Sequence, residues 1–391
     1  MKKKLKILIV GGGMYVTGKG TKSYGTILPG LFKSSLLNEI SEIALVVTSI
    51  KSAANAKKTF KKINNLFKTK IKFSAFPKIK NNIDEYKNIA INFKPDAAIV
   101  CVPDHLHYEV TSFLLKLKIH CLVVKPLADN LIDAKKLNIL AKKNKVLGLV
   151  EFHKRLDEAN IIIRDRIKNN EIGSLLYAVI EYSQKIMIPL KVFKSWSHKS
   201  NVFQYLGVHY ADLVYFITNF KPRKVTAWGQ KEILKKNKID TWDSIQVVIE
   251  WLKPDGNTFI SSHITNWIDT NNSSAISDQK ISIVGTEGKI ISDQKNRGLQ
   301  IINNINKIQD INPYFTTFNS ISTDPESIFF GYGIRSISNF VNCVDQIINH
   351  NKNYKSFLKN NFSFDDSLIS MAIVEAVNKS LILKKSYSIK L

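Results

Sequence analysis

The first 150 residues alternate short apolar runs with longer segments of helical periodicity. The apolar runs have the length of buried strands and lie at 6–10, 43–49, 96–102, 120–125 and 146–152. Between them, helical spacing recurs at 27–40, 53–67, 107–118 and 130–145. Strands that alternate with helices predict a parallel sheet with helices on both faces. We therefore predict a doubly wound α/β domain over residues 1–150.

The pattern changes after Phe152. A helical segment that ends at Gly173 leads into several alternating, half-buried strands with few helices between them, and turn sequences such as KPDGN separate the strands. Residues 202–219, 334–349 and 365–385 have helical spacing. We predict an α+β domain with a large, mostly antiparallel open sheet over residues 151–391. Its C-terminal helices are candidates to pack back on the first domain.

Composition excludes several classes of protein. No apolar run of about 18 residues occurs, so we expect no membrane span, and the first residues do not resemble a signal peptide. The three cysteines lack C-x-x-C spacing, which fits a reducing cytoplasm. The net charge of +25 comes from 57 basic residues, of which six are arginine. Because nucleic-acid readers usually favour the arginine fork, we predict no nucleic-acid partner.

The glycine-rich segment VGGGMYVTGKGTKSYGT (10–26) follows the first predicted strand and is similar to two phosphate-binding loops. A Mg²⁺-dependent P-loop needs Ser or Thr directly after Lys19, and Gly20 stands there. A dinucleotide turn needs a preceding strand and a G-x-G, which Gly11 and Gly13 supply, with Met14 beside the cofactor. Its third glycine is replaced by Val16. We favour the dinucleotide turn, with the insertion 14–25 leaving the turn before the first long helix; a flexible loop without a ligand is the alternative.

The end of the second predicted strand bears on the choice of cofactor. An NAD-binding fold usually has Asp or Glu there to bind the ribose 2′-hydroxyl. This chain has Thr48, Ser49 and Lys51, which suit a 2′-phosphate. We therefore favour NADP(H), with NAD(H) possible. The alternative interpretation is a polar strand end with a solvated lysine.

A series of motifs runs nearly from end to end of the chain. It consists of PDAAIVCVPxxxH ending at His107, KPLA at Lys125, FHKR at Arg155, NEIGS around Gly173, GVHYAD at His209, and VGTEGKIISD from Val284. In this order and spacing the chain resembles the Gfo/Idh/MocA family of NAD(P)-dependent sugar and cyclitol dehydrogenases. The resemblance implies an N-terminal Rossmann domain, a C-terminal open-sheet domain, and a homodimer or homotetramer.

Lys125 is the first catalytic candidate. It ends a buried strand before Pro126, at the sheet edge where ligands of such folds bind, and burial could lower its pKa toward useful acid–base values. The resemblance implies that it contacts both substrate and nicotinamide, although Val124 replaces the family's usual Glu. His209 is the second candidate, and Tyr205 stands where the family usually has Asp. The alternatives are a surface lysine, a structural histidine and a packing tyrosine.

Other candidate residues also follow from the resemblance. Pro103 and His107 are expected to line the nicotinamide side. Arg155 is expected to fix either the substrate or the domain interface. Trp196 and Asn201 are candidates to bind a sugar by stacking and hydrogen bonding, and core packing is the alternative for Trp196. The resembled chemistry requires no metal, and we predict none.

These observations predict an NAD(P)-dependent oxidoreductase. It would move hydride between nicotinamide and a carbinol or ketone of a sugar, a cyclitol or a nucleotide-linked sugar. Lys125 and His209 would handle the hydroxyl proton, with Tyr205 assisting. The alternative is a non-catalytic regulatory protein of the same fold that senses NAD(P) or a sugar, which the departures at Val124 and Tyr205 suggest.

Overall fold

A computed structural model describes residues 2–21, 23–37, 40–305, 307–319, 321–322, 324, 327–359 and 362–390. The chain forms two compact units, and each is built from separate stretches of sequence. The first comprises Met1–Leu156 and Tyr314–Ser367, and the second comprises Asp157–Pro313 and Leu368–Leu391. The chain therefore crosses from one unit to the other three times.

In the described part of the first unit, six parallel strands form one sheet. They are β1 (Leu5–Val10), β2 (Ile40–Val46), β3 (Lys72–Phe76), β4 (Ala97–Val100), β5 (His120–Val124) and β6 (Gly148–Glu151). Their order is β3-β2-β1-β4-β5-β6, which confirms the predicted doubly wound sheet. Because β1 pairs with β2 on one side and β4 on the other, the winding reverses beside β1. Ligands of such sheets bind at the carboxyl ends of the strands near this point.

The helices that accompany this sheet are α1 (Met14–Thr17), α2 (Ile27–Leu37), α3 (Ile50–Phe67), α4 (Glu85–Phe93), α5 (His107–Lys116) and α6 (Leu131–Asn144). The predicted helix at 27–40 was too long, because Ile40 already pairs with Leu5 in the sheet. Residues 38 and 39 lie outside the described residues. The sequence analysis missed α4, which buries only Tyr86 and Ala90 and so has a weak apolar period.

The glycine-rich insertion begins with a helical turn. The sequence predicts that the insertion 14–25 leaves the dinucleotide turn before the first long helix, and α1, which starts at Met14, lasts only four residues. Gly18 ends it with a φ of +71°, in the left-handed region that glycine favours. The first long helix, α2, begins only at Ile27, as predicted. The insertion thus contains one short helical turn and does not form the first long helix.

Later along the chain, the described residues form the strands β7 (Leu175–Lys185), β8 (Lys221–Gln230), β9 (Ser244–Leu252), β10 (Thr258–Asp269), β11 (Ser277–Gly285), β12 (Lys289–Asp293), β13 (Leu299–Asn303), β14 (Lys307–Ile311), β15 (Thr317–Phe318), β16 (Phe329–Phe330) and β17 (Tyr387–Ser388). The second unit's sheet has the order β12-β11-β7-β10-β9-β8-β17. Only β7 and β10 pair in parallel among its described strands. The mostly antiparallel sheet is confirmed.

The later helices in the part of the chain that the structure describes are α7 (Glu158–Lys168), α8 (Val208–Thr218), α9 (Ile233–Lys236), α10 (Tyr332–His350) and α11 (Phe364–Leu383). Two predictions need correction. The helix expected to reach Gly173 ends at Lys168, because turns at Asn169 and Asn170 follow it. The helix expected over 202–219 is not regular, since Phe203–Gly207 form a π turn before α8.

Helix α10 belongs to the first unit and packs against α2. Its buried side chains recur at helical spacing and include Ile334, Ile337, Phe340 and Val344. Gly30 allows the close approach, because a Cβ there would lie 2.6 Å from Cβ of Ile337. Within the described residues, no helix has both the length and the apolar character that crossing a membrane requires.

Candidate functional site

The turn after β1 exposes backbone at the carboxyl edge of the parallel sheet. Gly11 has a φ of +113°, and a Cβ there would lie 1.9 Å from the carbonyl oxygen of Cys101. Gly13 lies at the start of α1, and no atom lies within 4 Å of the place its Cβ would occupy. Half-buried Met14 follows it. Gly11 thus makes the tight turn and Gly13 leaves open space beside the backbone, so the residues present fit a dinucleotide pyrophosphate.

The end of β2 carries hydroxyls and ammonium groups. Thr48 and Lys51 are exposed. The hydroxyl of Ser49 caps α3, accepting from the Ser52 backbone N–H at 3.3 Å and donating to Ser52 Oγ at 3.0 Å. Lys19, from the insertion, donates from Nζ to Ser52 Oγ at 3.3 Å. Lys19 was not predicted to lie here, because the path of an insertion cannot be derived from its sequence.

Lys125 lies directly after β5, and its side chain is buried, with a relative exposure of 6%. Burial lowers the pKa of Lys125 to about 8, while the charges of Asp104 and Glu151 act in the opposite direction. A lysine with such a pKa exists in both protonation states near neutral pH. It can therefore accept or donate a proton, as a general acid–base group must.

His107 contacts backbone carbonyl groups near Lys125. Its Nδ1 lies 2.6 Å from the carbonyl oxygen of Pro126, and its Nε2 lies 2.9 Å from that of Val102. Pro103 begins the 3₁₀ turn between these segments and is half-buried. Both ring nitrogens of His107 thus contact main-chain oxygens that follow β4 and β5. The predicted role of His107 at the nicotinamide is a separate matter and stays a prediction.

A polar and aromatic cluster missed by the sequence analysis adjoins this edge. Nδ1 of His153 lies 2.9 Å from Oε2 of Glu151 and 3.4 Å from the hydroxyl of Tyr15, which comes from α1. The rings of Phe315 and Tyr332 pack on His153 at centroid distances of 5.1 and 5.8 Å. Burial and the charge of Glu151 raise the pKa of Tyr15. The available signal was Glu151 itself, an acid at the end of an otherwise apolar strand.

Arg155 packs among aromatic rings of the first unit. Its guanidinium carbon lies 5.5 Å from the ring centroid of Phe152 and 5.2 Å from that of Phe362. Burial raises the pKa of Asp366, and the charge of Arg155 opposes this shift. These contacts give Arg155 a place in the packing of the first unit. The expected contact with a substrate stays a prediction.

His209 is buried on α8 in the second unit. Its ring centroid lies 6.0 Å from that of Tyr182, whose pKa burial raises. Tyr205 lies in the π turn before α8, so its placement relative to His209 is not that of a regular α-helix. On a regular α-helix, side chains four residues apart lie on one face, but the π turn breaks that relation between Tyr205 and His209.

The candidate sugar-binding residues lie near Tyr205. Half-buried Trp196 packs against Phe193 and Tyr205 at centroid distances of 4.5 and 5.8 Å. Asn201 uses both ends of its amide, since Oδ1 accepts from the Gln204 N–H at 2.9 Å and Nδ2 donates to Asn378 at 2.8 Å. These contacts support the packing alternative for Trp196 and a capping role for Asn201. Binding of a sugar by either residue stays a prediction.

The His, Cys, Asp and Glu side chains are the candidates to bind a metal ion. Among the described residues, no three or more of these side chains are grouped so that they could hold one. The three cysteines are all free thiols, and burial raises the pKa of Cys101 to about 12.

Family models match both units. The model for "Oxidoreductase family, NAD-binding Rossmann fold" matches residues 5–152, and that for "GFO/IDH/MocA C-terminal domain" matches residues 162–291. Together they cover more than half of the chain. The sequence resemblance is thereby confirmed in both units.

Curated relatives match the chain over only about half of its length. The chain is 26% identical to myo-inositol 2-dehydrogenase of Thermotoga maritima over 203 residues, which are 51% of this chain and 56% of that protein. It is also 26% identical to an uncharacterised oxidoreductase of Schizosaccharomyces pombe over 194 residues, 47% of this chain and 49% of that protein. The chain thus spans about half the length of the curated relatives it matches.

Solved structures share the fold over the full length. Levoglucosan dehydrogenase, in complex with NADH and levoglucosan, has a TM-score of 0.72 at 17% identity, covering 100% of both chains. Scyllo-inositol dehydrogenase of Lactobacillus casei, with bound NAD(H) and scyllo-inositol, has a TM-score of 0.70 at 13% identity, covering 99% of both chains. At these identities the likeness concerns the fold alone.

Proposed function

The chain belongs to the Gfo/Idh/MocA oxidoreductase family, and we propose that it transfers hydride between a nicotinamide cofactor and a carbinol or ketone of a sugar, a cyclitol or a nucleotide-linked sugar. The observation that carries the proposal is Lys125, a buried lysine at the carboxyl edge of the dinucleotide-type sheet with a pKa of about 8. The named relatives act on, or bind, inositols and levoglucosan, which supports polyhydroxylated rings as the substrate class.

The nicotinamide cofactor, when bound, supplies or accepts the hydride. In the proposal, Gly11, Gly13 and Met14 hold its pyrophosphate, while Pro103 and His107 lie on the nicotinamide side. The residues of this chain then bind the substrate and move the hydroxyl proton. Arg155, Trp196 and Asn201 are the proposed substrate-binding residues.

Lys125 is proposed to handle that proton. In the oxidation direction its neutral amine accepts the proton of the substrate hydroxyl, and in the reduction direction its ammonium group donates one. His209 is the second proposed catalytic residue, because its buried imidazole can hold a hydroxyl by a hydrogen bond and exchange a proton with it. Tyr205 is proposed to assist.

We further propose a preference for NADP(H) and a homodimeric or homotetrameric assembly in a reducing compartment such as the cytoplasm. The free cysteines fit that compartment. For the cofactor, exposed Thr48 and Lys51, the Ser49 hydroxyl and the nearby ammonium group of Lys19 offer hydrogen bonds and positive charge to a 2′-phosphate. An acid that would bind a free ribose 2′-hydroxyl is absent from positions 48–52.

A cofactor titration tests this preference. Lys51→Glu should raise the Kd for NADP(H) by about ten- to a hundredfold, because a charge-assisted hydrogen bond contributes roughly 1.5–3 kcal/mol, and should change the Kd for NAD(H) much less. Lys58→Glu makes the same charge change at an exposed site further along α3 and serves as the control. Equal Kd values of the unmodified protein for the two cofactors would contradict the preference.

The proposed activity is tested by a spectrophotometric screen. The purified protein is incubated with NADP⁺ or NAD⁺ and a panel of inositols, levoglucosan, simple sugars and nucleotide-linked sugars, and formation of the reduced cofactor is followed. We expect turnover with at least one ring polyol. Cofactor binding without turnover on any of them would favour the regulatory alternative, and Mg²⁺-dependent ATP binding without NAD(P) binding would refute the proposal.

Tyr205→Phe tests the assisting role. Since the substitution removes one hydroxyl and keeps the ring that packs on Phe193 and Trp196, we expect kcat to fall about tenfold, below the 10²–10⁴-fold typical of a principal acid–base group. The melting temperature should stay close to that of the unmodified protein. Tyr177→Phe, at a half-exposed tyrosine on β7, is the matched control. An unchanged kcat would leave Tyr205 with packing alone.

A further inference from the structure

Glu151 is a buried carboxylate with one uncommitted oxygen. Its side chain has no solvent exposure, and Oε2 accepts a hydrogen bond from Nδ1 of His153 at 2.9 Å. Within the described residues, Oε1 has no hydrogen-bond partner. Burying a carboxylate oxygen without a donor is costly, so such an atom in a folded protein calls for an explanation. A nearby cation would provide one.

The cation that the fold brings to Glu151 is Lys125. Residue Val124 of β5 pairs in register with Glu151 of β6, and Lys125 is the next residue along the chain. The charge of Glu151 acts on the ammonium group of Lys125, as does that of Asp104, which follows β4. The other titratable group that acts on Lys125 is the thiol of Cys101, which stays neutral near pH 7 because burial raises its pKa to about 12.

The neighbours of Glu151 approach its carboxylate from one side. His153 donates to Oε2, and the Tyr15 hydroxyl lies 3.4 Å from the same imidazole nitrogen and also interacts with the carboxylate. The ring of His153 is fixed in turn by Phe315 and Tyr332. The contact with His153 therefore fixes the carboxylate through Oε2, whereas Oε1 has no hydrogen-bond donor among the described residues. The residue directly before Lys125 is Val124, which carries no charge and cannot substitute for it.

We infer that Glu151 is a positioning residue for the acid–base lysine, holding the ammonium group of Lys125 in its buried place through a carboxylate on the neighbouring strand. This inference rests on the proposed function, in which Lys125 moves the hydroxyl proton. Glu151 itself contacts neither substrate nor cofactor in this scheme. In the absence of the Glu151 charge, burial would still disfavour the ammonium form of Lys125. Of the two carboxylates that act on Lys125, only Asp104 would remain to stabilise that form.

The direction of the effect follows from the signs of the charges. Burial favours the neutral amine, and a nearby carboxylate favours the ammonium form. Removing the charge of Glu151 should therefore lower the pKa of Lys125 below its value of about 8. An opposite charge within about 4–6 Å shifts a pKa by about 1–3 units. We expect a fall of about one unit or more in Glu151→Gln, and a smaller fall in Glu151→Asp, which keeps the charge but shortens its reach.

The pKa of Lys125 can be measured without any substrate. The full-length protein is labelled with acetic anhydride over a series of pH values, and acetylation of the peptide that contains Lys125 is quantified by mass spectrometry. Wild-type labelling should have its midpoint near pH 8. Glu151→Gln should move the midpoint down by about one unit or more. Glu42→Gln, a half-buried carboxylate of β2 in the same sheet, should leave it unchanged.

A second measurement separates this inference from the proposed activity. Once a substrate has been found, kcat for oxidation can be measured as a function of pH. In Glu151→Gln the rise of kcat with pH should occur at lower pH than in the wild type, while the Kd for the cofactor stays the same. A protein without turnover would refute the proposed function, while the labelling midpoints would still test Glu151. Should Glu151→Gln not fold by circular dichroism, Glu151→Asp carries the test. Equal midpoints in the wild type and the folded variants overturn the inference.

Discussion

Lys125→Met should lower kcat by roughly 10²–10⁴-fold while leaving the Kd for the cofactor nearly unchanged. The reason is that an acid–base group typically contributes this factor to a proton transfer, whereas most of the affinity for a dinucleotide comes from its phosphates and adenosine half. Methionine keeps the length and the apolar stem of the side chain. The substitution therefore removes the titrating amine from its buried place after β5 with little change of volume.

The pH dependence gives the same prediction a second readout. Oxidation requires the neutral amine, and burial lowers the pKa of Lys125 to about 8. In the unmodified protein, kcat for oxidation should rise as the pH increases through about 8 and level off above it. In Lys125→Met, kcat for oxidation should no longer rise with pH in this range. His209→Ala should lower kcat over the same 10²–10⁴-fold range, roughly.

The control for Lys125 is another buried lysine. Lys253 donates from Nζ to Ser174 Oγ at 2.8 Å in the second unit, and neither Ser174 nor the other contacts of Lys253, Leu175 and Asp255, have a proposed role. Lys253→Met should lower the melting temperature, because Ser174 loses its partner, and leave kcat unchanged. If Lys125→Met and His209→Ala retain full turnover on a proven substrate, the catalytic assignment is wrong even though the family is right.

Substitutions in the glycine turn should separate folding from cofactor binding. Gly11→Ala should reduce the free energy of unfolding by about 2–5 kcal/mol, from the strain of a positive φ and from overpacking, because its Cβ would lie 1.9 Å from a backbone oxygen. Gly13→Ala should leave stability nearly unchanged, since its φ is −76° and its Cβ would contact nothing within 4 Å.

Gly13→Ala, which should not affect stability, should instead affect cofactor affinity. Gly13→Ala should fold normally and bind NAD(P) at least about tenfold more weakly, because the new methyl group occupies the space through which the pyrophosphate approaches the backbone. Gly20→Ala, with a φ of +84° and open space around it, controls for strain alone. Chemical denaturation and cofactor titration measure the two effects. Unaltered cofactor affinity in Gly13→Ala would place the phosphates elsewhere.

The sequence predicted the elements whose apolar period is strong. Five of the six parallel strands were found, because each is a run of buried residues, as in Leu5–Val10 and Ala97–Val100. The strand Lys72–Phe76 was missed, since only Ala75 in it is fully buried at the sheet's edge. The helix before His209 was predicted as regular, and the π turn at Phe203–Gly207 leaves no mark in the apolar pattern.

The positions of the candidate site residues in the sheet were predictable where a motif contains them. Lys125 and the glycine turn follow from local sequence, because a strand end and its next residues define their place in the sheet. Glu151, Tyr15 and Lys19 could not be assigned in the same way. Their significance depends on the pairing of β5 with β6 and on the path of an insertion, and both are tertiary features.

The threefold passage of the chain between its units has a consequence for how this architecture can vary. The contact of Gly30 with Ile337 joins segments of the first unit that are separated in the gene by the coding sequence for most of the second. A single recombination event within residues 157–313 would therefore assemble a first unit from two parents. Residues that pack against each other at such contacts must come from the same parent. A hybrid that folds therefore needs two crossovers, one on each side of the inserted segment, so that this segment is replaced as a whole.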